Sequence, residues 1–305
     1  MKILVLYGGT SNERDVSIMS GKSILESLKR KYIVDGYDFN GDFEKLKSLL
    51  IDYDLIFNAL HGGDGENGVV QKFLENNNIL FTGSSSFSSA IAMNKHKTKK
   101  IVIDNSLITP DWVYIDNVKN KFSLKKFFGK SIVIKPADEG SSIGLTIIEN
   151  FNNDKDKMDK LNVAIENSCL VSDKILIEEY IDGKELTVGV LGDVALPALE
   201  IIPDNTYYDY ECKYSIGKSQ YKVPANISND ISEKLKSISL KIFKLLGCCN
   251  YARVDFRLSN ENKIYFLEIN TLPGFTSTSL FPKAANAASL DYDHLLDEII
   301  ALAKK

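Results

Sequence analysis

The sequence predicts an α/β fold in its first third and an antiparallel α+β arrangement in the rest. Three observations carry this. The runs "KILVLYGG" and "DLIFNALHGG" end in glycine pairs and alternate with amphipathic segments, the pattern of β-α-β units on an open parallel sheet. Two later stretches, "KELTVGVLGDVALPALEII" and "YARVDFRLSNENKIYFLEINT", fold back as hairpins at Gly192-Asp193 and at "SNEN". Between them and the first third, "SIVIKPADEGSSIGLTIIEN" reads as two strands joined by a Gly/Ser-rich turn.

Taken in order, "KILVLYGG" is an unbroken apolar run, as expected of a parallel strand covered on both faces. A helix from Arg14 to Arg30 follows, with Val16, Met19, Ile24, Leu25 and Leu28 as its apolar stripe. "YIVDGYDF" and "DLIFNALHGG" are strands, "GVVQKFLENN" a short helix, and "ILFTGSS" a further strand. "SSAIAMNKHKTKKIVIDN" reads as one helix ending in a run of lysines. "WVYI" is a strand and "SLKKFFG" a short helix stopped by Gly129. A polar helix from Lys155 to Asn167 precedes the strand "KILIEEYI". "PDNTYYDYECKYSIGKSQYKVPA" has neither period and is rich in Tyr and Lys; it reads as a long ordered loop of the kind that forms lids. A helix from Asn229 to Leu246 leads to the second hairpin, and a final helix spans Tyr292 to Ala303.

The 305 residues are enough for two or three domains, and 44% hydrophobic with 26% charged residues is a soluble globular composition. A net charge of −4 gives no reason to expect a nucleic acid or a membrane surface as partner. No apolar run approaches the ~20 residues of a membrane span, and the opening strand is too short for a secretion signal. Cys169, Cys212, Cys248 and Cys249 form no CxxC pair and read as reduced, buried thiols of a cytosolic protein.

The second hairpin carries the strongest chemical pattern. In "ARVDFRL", Val254 and Phe256 face one way, and Arg253, Asp255 and Arg257 the other. In "LEINTLPG", Glu268 and Asn270 share a face before Pro273-Gly274 ends the strand. A turn centred on Glu261-Asn262 would set Asp255 opposite Glu268, and neighbouring registers also keep the two acids close. Two acids and an amide, without His or Cys, form an all-oxygen set suited to Mg²⁺ or Mn²⁺; taken alone, they equally suit a solvated hairpin face. In "VIKPADEGSSIG", Lys135 precedes small residues, including Ser141 and Ser142, that let backbone N–H groups wrap an anion. It is neither a Walker loop nor a dinucleotide fingerprint, and alone it also suits an ordinary hairpin turn. Lys95 is a second candidate cation. Glu178, Glu179 and Glu185 end a buried strand where acids can accept from an adenine or a ribose. Together these features outline a nucleotide clasped between two sheets.

At this point "GGTSNERDVSIMSG", "ALHGGDGENGVVQ", "VIKPADEGSSIG", "YYDYECKY" and "ARVDF…FLEINTLPGFTSTSLFP" resemble, essentially end to end, the ATP-grasp superfamily and within it the D-alanine–D-alanine ligase family. The resemblance implies an ATP-grasp fold behind an N-terminal parallel-sheet domain, with expected divisions at 1–88, 89–179 and 180–305. It implies a cytoplasmic homodimer that joins two D-alanines through an acyl phosphate, for peptidoglycan. Asp255, Glu268 and Asn270 would hold two Mg²⁺ or Mn²⁺ ions. Lys95 and Lys135 would hold the α/β-phosphates of ATP and Lys213 the transferring phosphoryl group, with Ser141, Ser142 and Asn270 also on the ATP side. Glu178, Glu179, Tyr180, Ile181 and Glu185 would lie along the adenosine. Arg253 and the Gly274 N–H would form the oxyanion site. Glu13 would pair with the first ammonium, His61 would lie near the first carboxylate, and Ser279 and Leu280 would hold the second. Tyr214, Ser141 and Glu13 would form a chain that closes the lid. A D-alanine–D-serine ligase, or less readily a D-lactate ligase, is the rival within the family pattern. A nucleotide-binding protein without catalysis would lack a metal acid, Arg253 or the loop, and all are present.

Overall fold

The structure, a computed structural model, describes residues 1–117, 122–203, 219–276 and 278–304. Three sheets organise them. The first is parallel, in order β2-β1-β3, from β1 (Lys2–Gly8), β2 (Ile33–Phe39) and β3 (Leu55–Asn58). Helices α1 (Arg14–Leu28) and α2 (Phe43–Leu50) are its crossovers, and α3 (Gly63–Glu66) and α4 (Val69–Asn76) follow. Successive side chains of β1 serve opposite faces. Ile3 and Val5 join one core with Leu28 and Phe57; Leu4 and Leu6 join another with Leu46 and Leu74. Both faces are covered, so no polar residue interrupts the strand. α2 escaped the sequence reading; it is a two-turn helix whose Asp42 side chain caps it by accepting from Lys45 N.

The expected "ILFTGSS" strand is reduced to a bridge between Ile56 and Phe81. Gly83, at φ +101°, turns the chain away directly after it. The expected single helix through "SSAIAMNKHKTKKIVIDN" is two, α5 (Ser86–Met93) and α6 (Lys95–Asp104). Asn94 is extended and its side chain accepts from Lys97 N, so the residue that breaks one helix caps the next. Lys95 therefore opens a helix rather than closing one, and its N–H is held by Ala137 O at 2.8 Å.

The second sheet is antiparallel, in order β4-β7-β5-β6, from β4 (Trp112–Ile115), β5 (Lys130–Pro136), β6 (Thr146–Phe151) and β7 (Ile175–Glu179), packed by α7 (Lys155–Cys169). The "SLKKFFG" helix is only a 3₁₀ turn over Lys125–Phe127. The third sheet runs β11-β10-β8-β12-β13, with β9 paired to β8. Its strands are β8 (Gly183–Leu191), β9 (Val194–Ala195), β10 (Leu199–Pro203), β11 (Ser219–Lys222), β12 (Tyr251–Ser259) and β13 (Ile264–Asn270). Helix α8 (Asn229–Leu245) covers it through Leu235, Ile242 and Phe243. β11 lies in the stretch expected to be loop; residues 204–218 of that stretch, with Lys213 and Tyr214, fall outside the described residues. Helices α9 (Leu280–Ala287) and α10 (Tyr292–Ala303) end the chain and return to the first core, where Phe281, Leu295 and Ile299 meet Ile3 and Phe57.

Of the described cysteines, Cys248 is buried and Cys169 and Cys249 are exposed, which corrects the expectation of buried thiols. His96 is half-buried, stacks on Tyr114 at 4.2 Å and receives the Trp112 indole N–H. Among the described residues no helix is long and apolar enough to cross a membrane.

Candidate active site

Asp255 pairs with Glu268 across β12 and β13, but by a route the sequence did not reveal. Near the turn, Leu258 pairs with Ile264, so the turn is centred on Glu261, with Asn262 at φ +61°. A bulge between Asp255 and Phe256 then shifts the register by one residue. The bulge resolves a conflict of faces. Phe266 and Ile269 both enter the core beneath α8, although three positions apart they belong on opposite faces of a regular strand. The extra residue, Leu267, and Glu268 both line the cavity on the other side.

Charged groups crowd this face. Asp255 takes Arg253 Nε at 2.9 Å and Nη2 at 2.8 Å, and the Thr187 hydroxyl at 2.6 Å. Lys95, buried, donates to Glu139 O at 2.6 Å and sits 3.2 Å from Glu268 Oε2. Asn270 Oδ1 accepts from Leu272 N at 3.0 Å. Glu178 is buried and meets two ammonium groups, Lys135 on one oxygen and Lys99 at 2.7 Å on the other. Burial disfavours the Glu178 carboxylate, but Lys135 and Lys99 outweigh it and its pKa is lowered. Burial wins at Lys99, whose pKa falls to about 8, and loses at Lys135, where Glu178 and Glu268 raise it. Arg257 organises the neighbouring edge: Nε donates to Ile181 O at 2.9 Å, Nη2 to Gly183 O at 3.0 Å, and Nη1 reaches Glu185 at 3.3 Å.

The loop after β5 holds two successive left-handed non-glycine residues, Ser141 at φ +53° and Ser142 at φ +58°. Such conformations cost of the order of 1–3 kcal/mol each and gather at functional sites. Ser141 donates to Glu13, at the start of α1, in a short hydrogen bond. Glycines let the backbone close around this carboxylate: a Cβ on Gly140 or on Gly62 would come within 2.7 Å of Glu13 Oε2.

Two cavities result. The first is lined by Lys135, Ser142, Glu178, Glu179, Tyr180, Ile181, Glu185 and Asp255, among others. The second is lined by Glu13, His61, Ser141, Asn270, Gly274 and Ser279, among others. They share a wall of Lys95, Glu139, Gly140, Arg253, Glu268 and Leu280. Behind the wall of the second cavity, Ser20 Oγ accepts from Phe275 N and meets His61 Nε2 at 3.0 Å. Burial lowers the His61 pKa against the pull of Glu13. A Cβ on Gly274 would stand 2.8 Å from Ser279 Oγ, so the chain after β13 passes close to the Ser279 side chain. Leu280 opens α9.

Every expected site residue within the described residues thus borders one or both cavities. Glu179 is the most peripheral, held outward by Lys130 at 2.8 Å. Sequence reasoning missed Lys99, Thr187, Ser20 and Glu66, and gave Arg257 a face but no role. Lys99 carried a signal, since it stands one helical turn after Lys95 on the same face. Glu66 carried a weaker one, an acid in the glycine-rich "HGGDGE". It is buried, accepts from Gly62 N at 3.1 Å, and is pushed up to about 8 by burial and then by Glu13.

An antiparallel sheet and a larger mixed-length antiparallel sheet that grip a cation-lined cleft, behind a parallel-sheet unit, define the ATP-grasp class. The family model described as D-ala D-ala ligase C-terminus matches residues 101–301. A D-alanine–D-alanine ligase of Aquifex aeolicus is 40% identical over 98% of this chain and 100% of its own. The crystal structure of the Bacillus anthracis D-alanine–D-alanine ligase superposes with a TM-score of 0.86 at 34% identity, covering 100% of this chain and 97% of that one. The same enzyme complexed with ATP gives 0.83 at 33%, with the same coverage. The VanG D-Ala:D-Ser ligase of Enterococcus faecalis gives 0.83 at 27%, over 99% of each chain. The chain belongs to the D-alanine–D-alanine ligase family.

Proposed function

We propose that this protein joins two D-alanine molecules into D-alanyl-D-alanine with conversion of ATP to ADP and phosphate, supplying peptidoglycan synthesis. The observation that carries this reading is the shared wall: a nucleotide cavity and a small polar cavity meet at Lys95, Arg253 and Glu268. A phosphoryl group leaving the first cavity enters the second there.

A carboxylate oxygen of the first D-alanine attacks the γ-phosphorus, the bond to the β-phosphate oxygen breaks, and ADP leaves. The amine of the second D-alanine attacks the resulting acyl phosphate carbon, phosphate departs, and the amine loses a proton. Lys95, Lys135 and the Ser141–Ser142 backbone hold the phosphates, and Lys213 the transferring group. Glu178, Glu179, Tyr180, Ile181 and Glu185 bound the adenosine. Glu13 pairs with the first ammonium, His61 stands near the first carboxylate, and Ser279 and Leu280 at the start of α9 take the second. Arg253 and the Gly274 N–H stabilise the tetrahedral oxyanion. Glu13, Ser141 and Tyr214 link the two substrate sites to the lid.

The donor set on the hairpin fits Mg²⁺ or Mn²⁺, because Asp255, Glu268 and Asn270 offer hard oxygens on one face, with Asp255 directly opposite Glu268. Among the described residues no three His, Cys, Asp or Glu side chains converge, so water and phosphate oxygens would complete the shell. Such ions neutralise phosphate charge and let a carboxylate approach it. The same reading divides the chain at 1–88, 89–179 and 180–305, and takes it to be a cytoplasmic homodimer.

Purified protein with ATP, Mg²⁺ and D-alanine is expected to release phosphate and form the dipeptide. Release with another amino acid but not with D-alanine refutes the assignment. D-serine or D-lactate offered as competing acceptor separates the D-alanine ligase from the D-Ala:D-Ser type; preferential mixed product would favour the latter.

A further inference from the structure

The buried charges beneath the first cavity do not balance. Glu178 is one carboxylate between two ammonium groups, Lys99 and Lys135. Lys135 lines the cavity, whereas Lys99 lies wholly behind it, with no exposed surface. Lys99 Nζ is 2.7 Å from Glu178 Oε2, donates to the Thr109 hydroxyl at 2.7 Å and approaches Pro110 O at 3.5 Å. Thr109 in turn donates to Phe266 O at 2.8 Å, the residue before the bulge.

Burying a cation that touches no ligand is expensive unless its charge is used. A Lys135–Glu178 pair alone would be neutral and would present no net charge to an anion. With Lys99 neutralising Glu178 from behind, the three groups carry one net positive charge, and Lys135 is the member that faces the cavity. We infer that Lys99 is a positioning residue for nucleotide binding: it cancels Glu178 from beneath, so that the charge of Lys135 is not consumed by that carboxylate and acts on the nucleotide phosphates. This rests on the assignment of the first cavity to ATP. Lys99 also ties α6 to Thr109 and, through it, to β13, so it fixes that charge relative to the hairpin carrying Asp255 and Glu268.

The test compares Lys99→Met with the charge-retaining Lys99→Arg, in the full chain. Charge-assisted contacts to phosphate are worth enough that Lys99→Met is expected to raise the KM for ATP and the Kd for ADP by about 10- to 100-fold, with the KM for D-alanine within about twofold of the unmodified protein. Lys99→Arg keeps a positive charge behind Glu178, so its nucleotide affinity is expected to lie closer to the unmodified protein than that of Lys99→Met. Unchanged nucleotide affinity in Lys99→Met, or Lys99→Arg as weak as Lys99→Met, overturns the inference. Should Lys99→Met not fold, Lys99→Arg decides: ADP affinity within about tenfold of the unmodified protein supports the inference, and a larger loss, or failure of Lys99→Arg to fold, rejects it. D-alanine-dependent phosphate release by the unmodified protein tests the ligase reading, while ADP titration tests the charge, so the two can fail separately.

Discussion

Glu268 stands opposite Asp255 only because Leu267 bulges out of β13. The bulge turns an acid toward the cleft while its neighbours Phe266 and Ile269 stay in the core. Glu268→Gln keeps the shape of this strand and removes one anionic oxygen. Turnover is expected to drop at least about 100-fold, with a cooperative melting transition retained. Near-normal kcat would remove Glu268 from the metal-binding face.

Arg253 reaches both oxygens of Asp255 through two nitrogens, a geometry that lysine cannot reproduce. Arg253→Lys is therefore expected to lower kcat by about 10²- to 10³-fold, as the loss of an oxyanion donor does, with smaller effects on KM. Steady-state kinetics check this; a change of less than about threefold would place the oxyanion contact elsewhere.

Glu66 makes stability depend on pH. Burial and Glu13 raise its pKa from 4.5 to about 8, with Gly62 N–H, Arg253 and Lys95 acting in the opposite direction. Between those values the folded protein keeps a proton that the unfolded chain has released. The folded state thus binds more protons, and stability falls as pH rises through the window. Glu66→Gln is expected to flatten the decline in melting temperature from pH 5 to pH 8. An identical slope in both proteins would assign the dependence to other groups.

Phe275 holds the two ends of the chain together. Its ring packs at 6.1 Å from Phe57 of the first sheet, 5.4 Å from Tyr251 of β12 and 5.8 Å from Phe281 of α9. Phe275→Ala is expected to cost about 3–5 kcal/mol in denaturant unfolding, because the rings around it belong to separate elements that cannot collapse together. A loss under about 1 kcal/mol would show that the contact closes by local repacking.

Local pattern alone was enough for β1, α1, the two hairpins and the alternation of Arg253, Asp255 and Arg257, since periodicity of 2 or 3.6 is written in neighbouring residues. The family motifs extended that reading to Glu13 and Ser279, residues far apart in sequence. Three things were decided only in the folded chain. Asn94 breaks a continuous helical pattern because its cap and the Ala137 carbonyl together outweigh propensity. The bulge at Leu267 exists because two faces of β13 must meet two different surfaces, a constraint that no strand carries within itself. Lys99 read as one of a run of helical lysines, yet it lies fully buried against Glu178 on β7, far along the chain. Burial and charge balance depend on what packs over a residue, and that is settled by contacts between distant segments.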